Sequence, residues 1–90
     1  MSTLEFAPHE HVVFTEFDAG EGVLVDLNTK KYFRLNETAL IVWRGLEKNR
    51  TFEEIVGEMT DAYDVTPERA RESVRRLLEN LRAFKLVRPR

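Results

Sequence analysis

Apolar and polar residues alternate in three short segments near the start of the chain. The segments are His11–Phe17, Val23–Leu27 and Lys31–Leu35, and they are rich in β-branched and aromatic residues, as strands are. Turn-forming residues separate them, at Asp18–Gly22 and at Asn28–Lys30. The pattern predicts a three-stranded antiparallel meander.

Beyond the third strand the apolar residues follow a helical period instead. Asn36 is a favourable N-cap for a first helix that is apolar nearly all round, so we expect this helix to be the buried centre of the fold. The segment Thr51–Glu54 has the form of a capping box at the start of a second helix. Thr66–Pro67 begins a third, which we expect to end near Phe84.

Three strands followed by three helices predict an α+β domain of winged-helix-like shape, although the strands come first here. With 90 residues there is room for one domain, which we place at residues 11–87 after a loose lead-in at residues 1–10. The chain has no cysteine, no signal-like start and no long apolar run. We therefore expect a soluble, cytoplasmic protein without a membrane partner.

The third predicted strand is the most informative part of the chain. Alternation places Phe33 and Leu35 on one face and Tyr32 and Arg34 on the other. The strand comes last in the meander, so one of its edges is free to pair with another chain. A sheet edge in a chain without a catalytic motif favours the binding of an extended peptide.

Candidate catalytic and metal-binding residues are few. His9 and His11 could share a metal ion, but no third ligand follows at a recognisable spacing. The pair Glu53–Glu54 fits helix capping better than acid–base chemistry. The chain also lacks a glycine-rich phosphate loop and a Ser/His/Asp signature. We predict no enzymatic activity, no metal site and no cofactor.

Charge is distributed unevenly although the net charge is only −2. Residues 1–29 contain acidic residues and no Lys or Arg, whereas residues 68–90 are rich in arginine. A basic last helix in a winged-helix-like fold leaves DNA binding as an alternative. The acidic isoelectric point of about 5.7 argues against it, so nucleic acid is not an expected partner.

The third helix carries an apolar stripe with an arginine border. The stripe contains Ala70, Val74, Leu77, Leu78, Leu81 and Phe84. Arg71, Arg75 and Arg82 lie beside it, while Arg69 and Arg76 lie on other faces. The border could rim a groove. Alternatively, it is a solvated face whose arginines pair with glutamates on the same helix.

The order of these motifs resembles the PqqD family. The resemblance covers about residues 11–87 and rests on Leu24–Asp26, Tyr32–Ala39, Val42–Trp43, Thr51–Val56, Tyr63–Val65, Val74–Leu81 and Leu86–Val87. One departure is Phe84-Lys85, which stands where family members carry a turn glycine.

The resemblance implies a RiPP recognition element, a non-catalytic module that binds the leader segment of a ribosomally made precursor peptide. The leader would add as a strand to the third strand, in a cleft whose other wall is the third helix. On this chain the implied peptide-binding residues are Lys31, Tyr32, Phe33, Arg34, Leu35, Arg71, Val74, Arg75 and Leu78. The implied partners are the precursor peptide and a modifying enzyme or leader peptidase. The motif has Leu35-Asn36 at the end of the third strand, and this version of it favours a lasso-peptide or other PqqD-like pathway. The alternative is PqqD proper, which acts with a radical SAM enzyme in pyrroloquinoline quinone biosynthesis.

Overall fold

The described residues form two small sheets and three helices. The structure is a computed structural model that describes residues 6–18 and 20–89. In chain order the elements are β1 (Phe6–Pro8), β2 (Val12–Asp18), β3 (Glu21–Asp26), β4 (Lys31–Leu35), α1 (Glu37–Glu47), α2 (Phe52–Ala62), α3 (Pro67–Ala83) and β5 (Val87–Pro89). Strands β2, β3 and β4 form an antiparallel sheet in that order. The predicted α+β class and the meander-then-helices order are confirmed.

The three helix starts form as their capping residues predict. The Asn36 side chain accepts a hydrogen bond from the Ala39 backbone N–H at 2.9 Å. The capping box of α2 is complete in both directions between Thr51 and Glu54. Each cap satisfies backbone N–H groups that a helix leaves without partners at its first turn.

The end of α3 explains the missing turn glycine. Lys85 has a φ of 60°, in the left-handed region where glycine is usual. Its N–H donates to the Arg82 carbonyl, and the Leu86 N–H donates to the Leu81 carbonyl, both at 2.9 Å. This is a Schellman motif. The helix therefore ends just before Phe84, through the same motif that a glycine at position 85 would form. Lys85 adopts the left-handed conformation of that motif at a cost in free energy.

Helix α1 lies at the centre of the hydrophobic core, as its composition predicts. Trp43 and Val42 are almost completely buried, together with Leu24 from the sheet and Ile55 from α2. Gly45 permits the close approach of α1 and α2, because a Cβ atom there would lie 2.6 Å from Ile55 Cγ1. Burial of such side chains is the main stabilising contribution to a domain of this size.

The predicted lead-in is wrong for residues 6–8. Strand β1 pairs antiparallel with β5, with Phe6 opposite Pro89, and Phe6 is buried in the core. Two three-residue strands, each with a proline, are too short to produce a recognisable alternation. Residues 1–5 lie outside the part of the chain that the structure describes.

The remaining strand limits differ from the prediction by one or two residues. The second strand of the meander begins at Glu21, so the turn before it is shorter than predicted; Ala19 within it lies outside the described residues. The third strand, Lys31–Leu35, has the predicted limits. Within residues 6–18 and 20–89, no helix is long and apolar enough to cross a membrane.

Candidate functional site: the free edge of β4 and the groove beside α3

Strand β4 has one free edge. Among the described strands it pairs only with β3, since it stands last in the sheet order. Opposite residues in the register share a face, and Phe33 lies opposite the buried Leu24. Tyr32 points to the other face and is 74% exposed. The predicted division of the strand into two faces is therefore confirmed.

A buried carboxylate holds the hairpin that presents β4. Asp26 Oδ1 accepts backbone N–H bonds from Asn28 at 2.9 Å and Thr29 at 3.2 Å, while the Lys30 N–H donates to the Asp26 carbonyl. Burial alone would raise the pKa of Asp26, but these backbone bonds and the nearby His11 outweigh it and lower the pKa. The ionised side chain thus fixes the turn that leads into β4.

A groove separates the inner face of β4 from α3. At one end the rings of Phe33 and Phe84 pack with their centroids 5.0 Å apart. At the other end a cavity of about 710 Å³ lies between Leu35 and Leu77. We call this feature the β4–α3 groove. Its helix wall consists of Leu77 of α3 and of Phe84, which directly follows α3. Ser73 and Asn80 line an adjoining cavity that Leu77 also lines.

The cavity end of the groove contains a positioned carboxylate. The Tyr63 hydroxyl, at the end of α2, donates to Glu37 Oε1 at 3.2 Å. The other side of Glu37 lies against Gly20, where a Cβ atom would be only 2.8 Å from Glu37 Oε2. Burial, and then the hydrogen bond to Glu37, raise the pKa of Tyr63. Three distant parts of the chain therefore meet at this carboxylate.

The structure corrects the helix side of the predicted site. Val74 is completely buried and Leu78 is 5% exposed, and neither lines the cavity that Leu35 and Leu77 line, so both are core residues rather than groove surface. Arg71 bonds to Glu53 of α2 through Nε and a terminal nitrogen, each at 3.3 Å. Its border of the apolar stripe therefore faces α2, and β4 lies beside the opposite border.

Arg75 and Arg76 also differ from their predicted places. Arg75 lies on the α2-side border and binds Glu72 at 2.6 Å and Glu79 at 3.1 Å, which satisfies its guanidinium within α3. Arg76, which the helical wheel assigned to a far face, lines a cavity of about 400 Å³ together with Leu77. A wheel locates both borders of a stripe but cannot tell which border faces the sheet.

The two histidines lie between β1 and β2, and the His9 N–H donates to the Leu86 carbonyl. Their ring centroids are 4.6 Å apart, and His11 Nε2 is 3.7 Å from Asp26 Oδ1. Within the part of the chain that the structure describes, no group of three or more His, Cys, Asp or Glu side chains gathers around a common point.

Comparison with known proteins decides the family. The sequence model described as "Coenzyme PQQ synthesis protein D (PqqD)" matches residues 21–87, most of the chain. The chain belongs to the PqqD family. The matched residues of this PqqD-family chain run from the start of β3 to the start of β5 and so include both walls of the groove. The family resemblance inferred from sequence motifs is confirmed.

Two solved structures share the fold of this PqqD-family chain. The first, titled "TbiB1 in Complex with the TbiA(beta) Leader Peptide", is 30% identical with a TM-score of 0.84, over 90% of this chain and 93% of that one. The second, "Lasso peptide synthetase B1 complexed with the leader peptide", is 24% identical with a TM-score of 0.86, over 94% and 99% of the two chains. At that identity the second likeness concerns the fold alone. No curated protein matches the sequence significantly.

Proposed function

We propose that this protein binds the leader segment of a ribosomally synthesised precursor peptide and catalyses no reaction itself. The observation that carries the proposal is the edge of β4 beside the β4–α3 groove, which pairs with no other strand among the described residues. A leader peptide would add to β4 as a further strand, with main-chain hydrogen bonds supplying affinity. The relative at 30% identity supports this proposal, because its structure contains a leader peptide.

The groove supplies the side-chain contacts in this proposal. Every second side chain of an added strand points toward the same face of the sheet. On the inner face these side chains would meet Phe33 and Leu35 of β4 and Leu77 of α3. The proposed site therefore keeps Lys31–Leu35 from the sequence prediction, and on α3 it replaces Arg71, Val74, Arg75 and Leu78 with the wall that includes Leu77.

The protein would act by presenting the bound leader to a separate modifying enzyme or leader peptidase. The pathway would be of the lasso-peptide or another PqqD-like type, as the Leu35-Asn36 version of the motif suggests, and the similar solved structure at 30% identity supports a leader-peptide ligand. We expect the purified protein to bind a precursor peptide and leave it chemically unchanged. We also expect no salt-sensitive binding to duplex DNA, which a winged-helix DNA reader would show.

A backbone-methylation scan of the peptide tests the binding mode. The probe is the TbiA(beta) leader peptide, which is bound in the similar structure at 30% identity. Single N-methyl groups are placed at successive residues, and affinity is measured by calorimetry. Antiparallel pairing uses alternate N–H groups of each strand, so N-methylation should weaken binding at every second residue.

Changes in backbone amide chemical shifts show where on the protein the peptide binds. Titration of isotope-labelled protein should move the amides of Lys31–Leu35 and of the Leu77 side of α3, while those of the Arg71 side stay in place. An effect of N-methylation that repeats every three or four residues would indicate a helical ligand. Shifts confined to residues 6–17 would contradict binding at β4.

A further inference from the structure

We propose that Glu37 and Tyr63 form a subsite that selects a lysine or arginine side chain at one position of the bound peptide. This inference rests on the proposed function and adds a chemical preference to it. The subsite lies at the cavity end of the β4–α3 groove, where the last residue of β4, Leu35, lines the same cavity as Glu37.

The first argument is that the carboxylate is held in place before any ligand arrives. Tyr63 donates its hydroxyl hydrogen to Oε1 at 3.2 Å. Gly20 leaves the space that Oε2 occupies, and its φ of 85° requires glycine for the backbone as well. A side chain fixed on two sides loses less conformational entropy on binding a partner.

The second argument is the charge balance of the cavity. Glu21 and Arg34 also line it, but they bind each other at 3.1 Å. Glu37 is therefore the lining charge without an oppositely charged partner among the described residues. Its position in the first turn of α1 offsets the positive end of that helix. The last turn of α2, which adjoins the cavity, has no basic residue. The negative partial charge at this C-terminal end of α2 is therefore not offset and also attracts a cation.

The third argument is shape. Leu35, Ala39 and Leu77 provide apolar walls beside the carboxylate. The long methylene stems of lysine and arginine cover apolar surface while the charged end reaches a polar partner. A peptide side chain that enters beside Leu35 would place its methylene groups on Leu77 and its cation at Glu37. A glutamate in the same position would face a like charge, so the subsite also rejects acidic residues.

A display selection tests the preference without assuming a leader sequence. A library of short linear peptides with random sequence is selected on the wild-type protein, on Glu37→Lys and on Glu79→Lys. Glu79 is a matched control, since it makes the same charge change on α3 but binds Arg75 on the border that faces away from the groove. We expect Lys or Arg to be enriched at one position with wild type and with Glu79→Lys. With Glu37→Lys, Asp or Glu should replace them there.

Individual peptides then give the magnitude. Glu37→Gln should weaken binding of a selected lysine peptide about fivefold, as expected for a partly exposed charge pair, and added salt should reduce the difference. The same peptide with glutamine at the selected position should show a smaller difference between the two proteins, because it carries no positive charge. Tyr63→Phe should lower the preference for lysine over glutamine, because Glu37 loses the hydroxyl group that positions its carboxylate. Thermal melting checks that each variant is folded.

The possible results distinguish failure of the Glu37–Tyr63 subsite from failure of peptide binding at β4. Peptides that shift β4 amides but show no charge preference, or the same preference with Glu37→Lys, would overturn the subsite and leave peptide binding standing. If the library yields no peptide that binds at β4, the proposed function falls and the subsite with it.

Discussion

Truncation of two neighbouring residues of α3 distinguishes the hydrophobic core from the peptide groove. Val74 is completely buried, whereas Leu77 is half-buried and lines the groove cavity. The changes are Val74→Ala and Leu77→Ala. We expect the first to reduce mainly the free energy of unfolding and the second to reduce mainly peptide affinity.

The magnitudes follow from burial. Val74→Ala removes two methyl groups worth about 0.8 kcal/mol each and leaves a cavity, for a total of about 2–3 kcal/mol. A domain of this length has a stability of about 4–14 kcal/mol, so the variant stays folded with a midpoint lowered by about 10–20 °C. If the peptide covers roughly 50 Å² of Leu77, that contact contributes about 1.2 kcal/mol, or about eightfold in affinity.

Urea denaturation gives the stability of each variant, and calorimetry at a temperature where both are folded gives the affinity for one leader peptide. Val74→Ala should bind within about twofold of wild type once the folded fraction is taken into account. The reasoning would be refuted if folded Val74→Ala lost as much affinity as Leu77→Ala. It would fail equally if Leu77→Ala destabilised the domain more than Val74→Ala did.

Three further predictions concern stability. Gly45→Ala should destabilise the domain by about 1–3 kcal/mol because its Cβ would meet Ile55 Cγ1 at 2.6 Å. Gly57→Ala should stabilise the domain by about 0.5–1 kcal/mol, because its Cβ would meet nothing within 4 Å. Urea denaturation that ranked the two variants in the reverse order would contradict the packing argument. Lys85→Gly should stabilise by about 1 kcal/mol because it relieves a left-handed lysine, a conclusion that an unchanged or lower melting temperature would remove. The pKa of Asp26 is lowered below 3.8 in the fold, so its stabilising contribution is complete above that pH and is lost as the pH falls through the lower pKa of the folded state. Asp26→Asn should therefore make the melting temperature less dependent on pH in the acidic range. An unchanged dependence would show that other groups cause it.

Local signals in the sequence were sufficient for the elements that carry their own start and stop chemistry. Asn36, the Thr51–Glu54 capping box and Thr66–Pro67 mark the helix starts because each cap acts within three residues of itself. The limits of β4 were predicted for the same reason, since a turn precedes it and a cap follows it. Strands β1 and β5 were missed because their pairing joins opposite ends of the chain, and three residues carry too little pattern to show it.

The site was only half predictable for a related reason. The edge of β4 follows from strand order, which the short turns fix. Which border of α3 faces that edge depends on how α3 packs against α2, and the wheel contains no such information. One signal was available: Glu53 on α2 is a natural partner for Arg71, and their bond places that border toward α2. The meeting of Glu37 and Tyr63 leaves no signal in the sequence, because it depends on the tertiary fold.

The pairing of β1 with β5 has a consequence for how this domain can be built into larger proteins. Phe6 lies directly opposite Pro89, and paired residues of antiparallel strands have Cα atoms only about 5 Å apart. The points where the chain enters and leaves the domain are therefore neighbours. Such a unit can be spliced into a surface loop of a host enzyme without forcing the host's loop ends apart. A circular permutant that joins these two points and opens elsewhere is equally feasible, with the β4 edge left free in both designs.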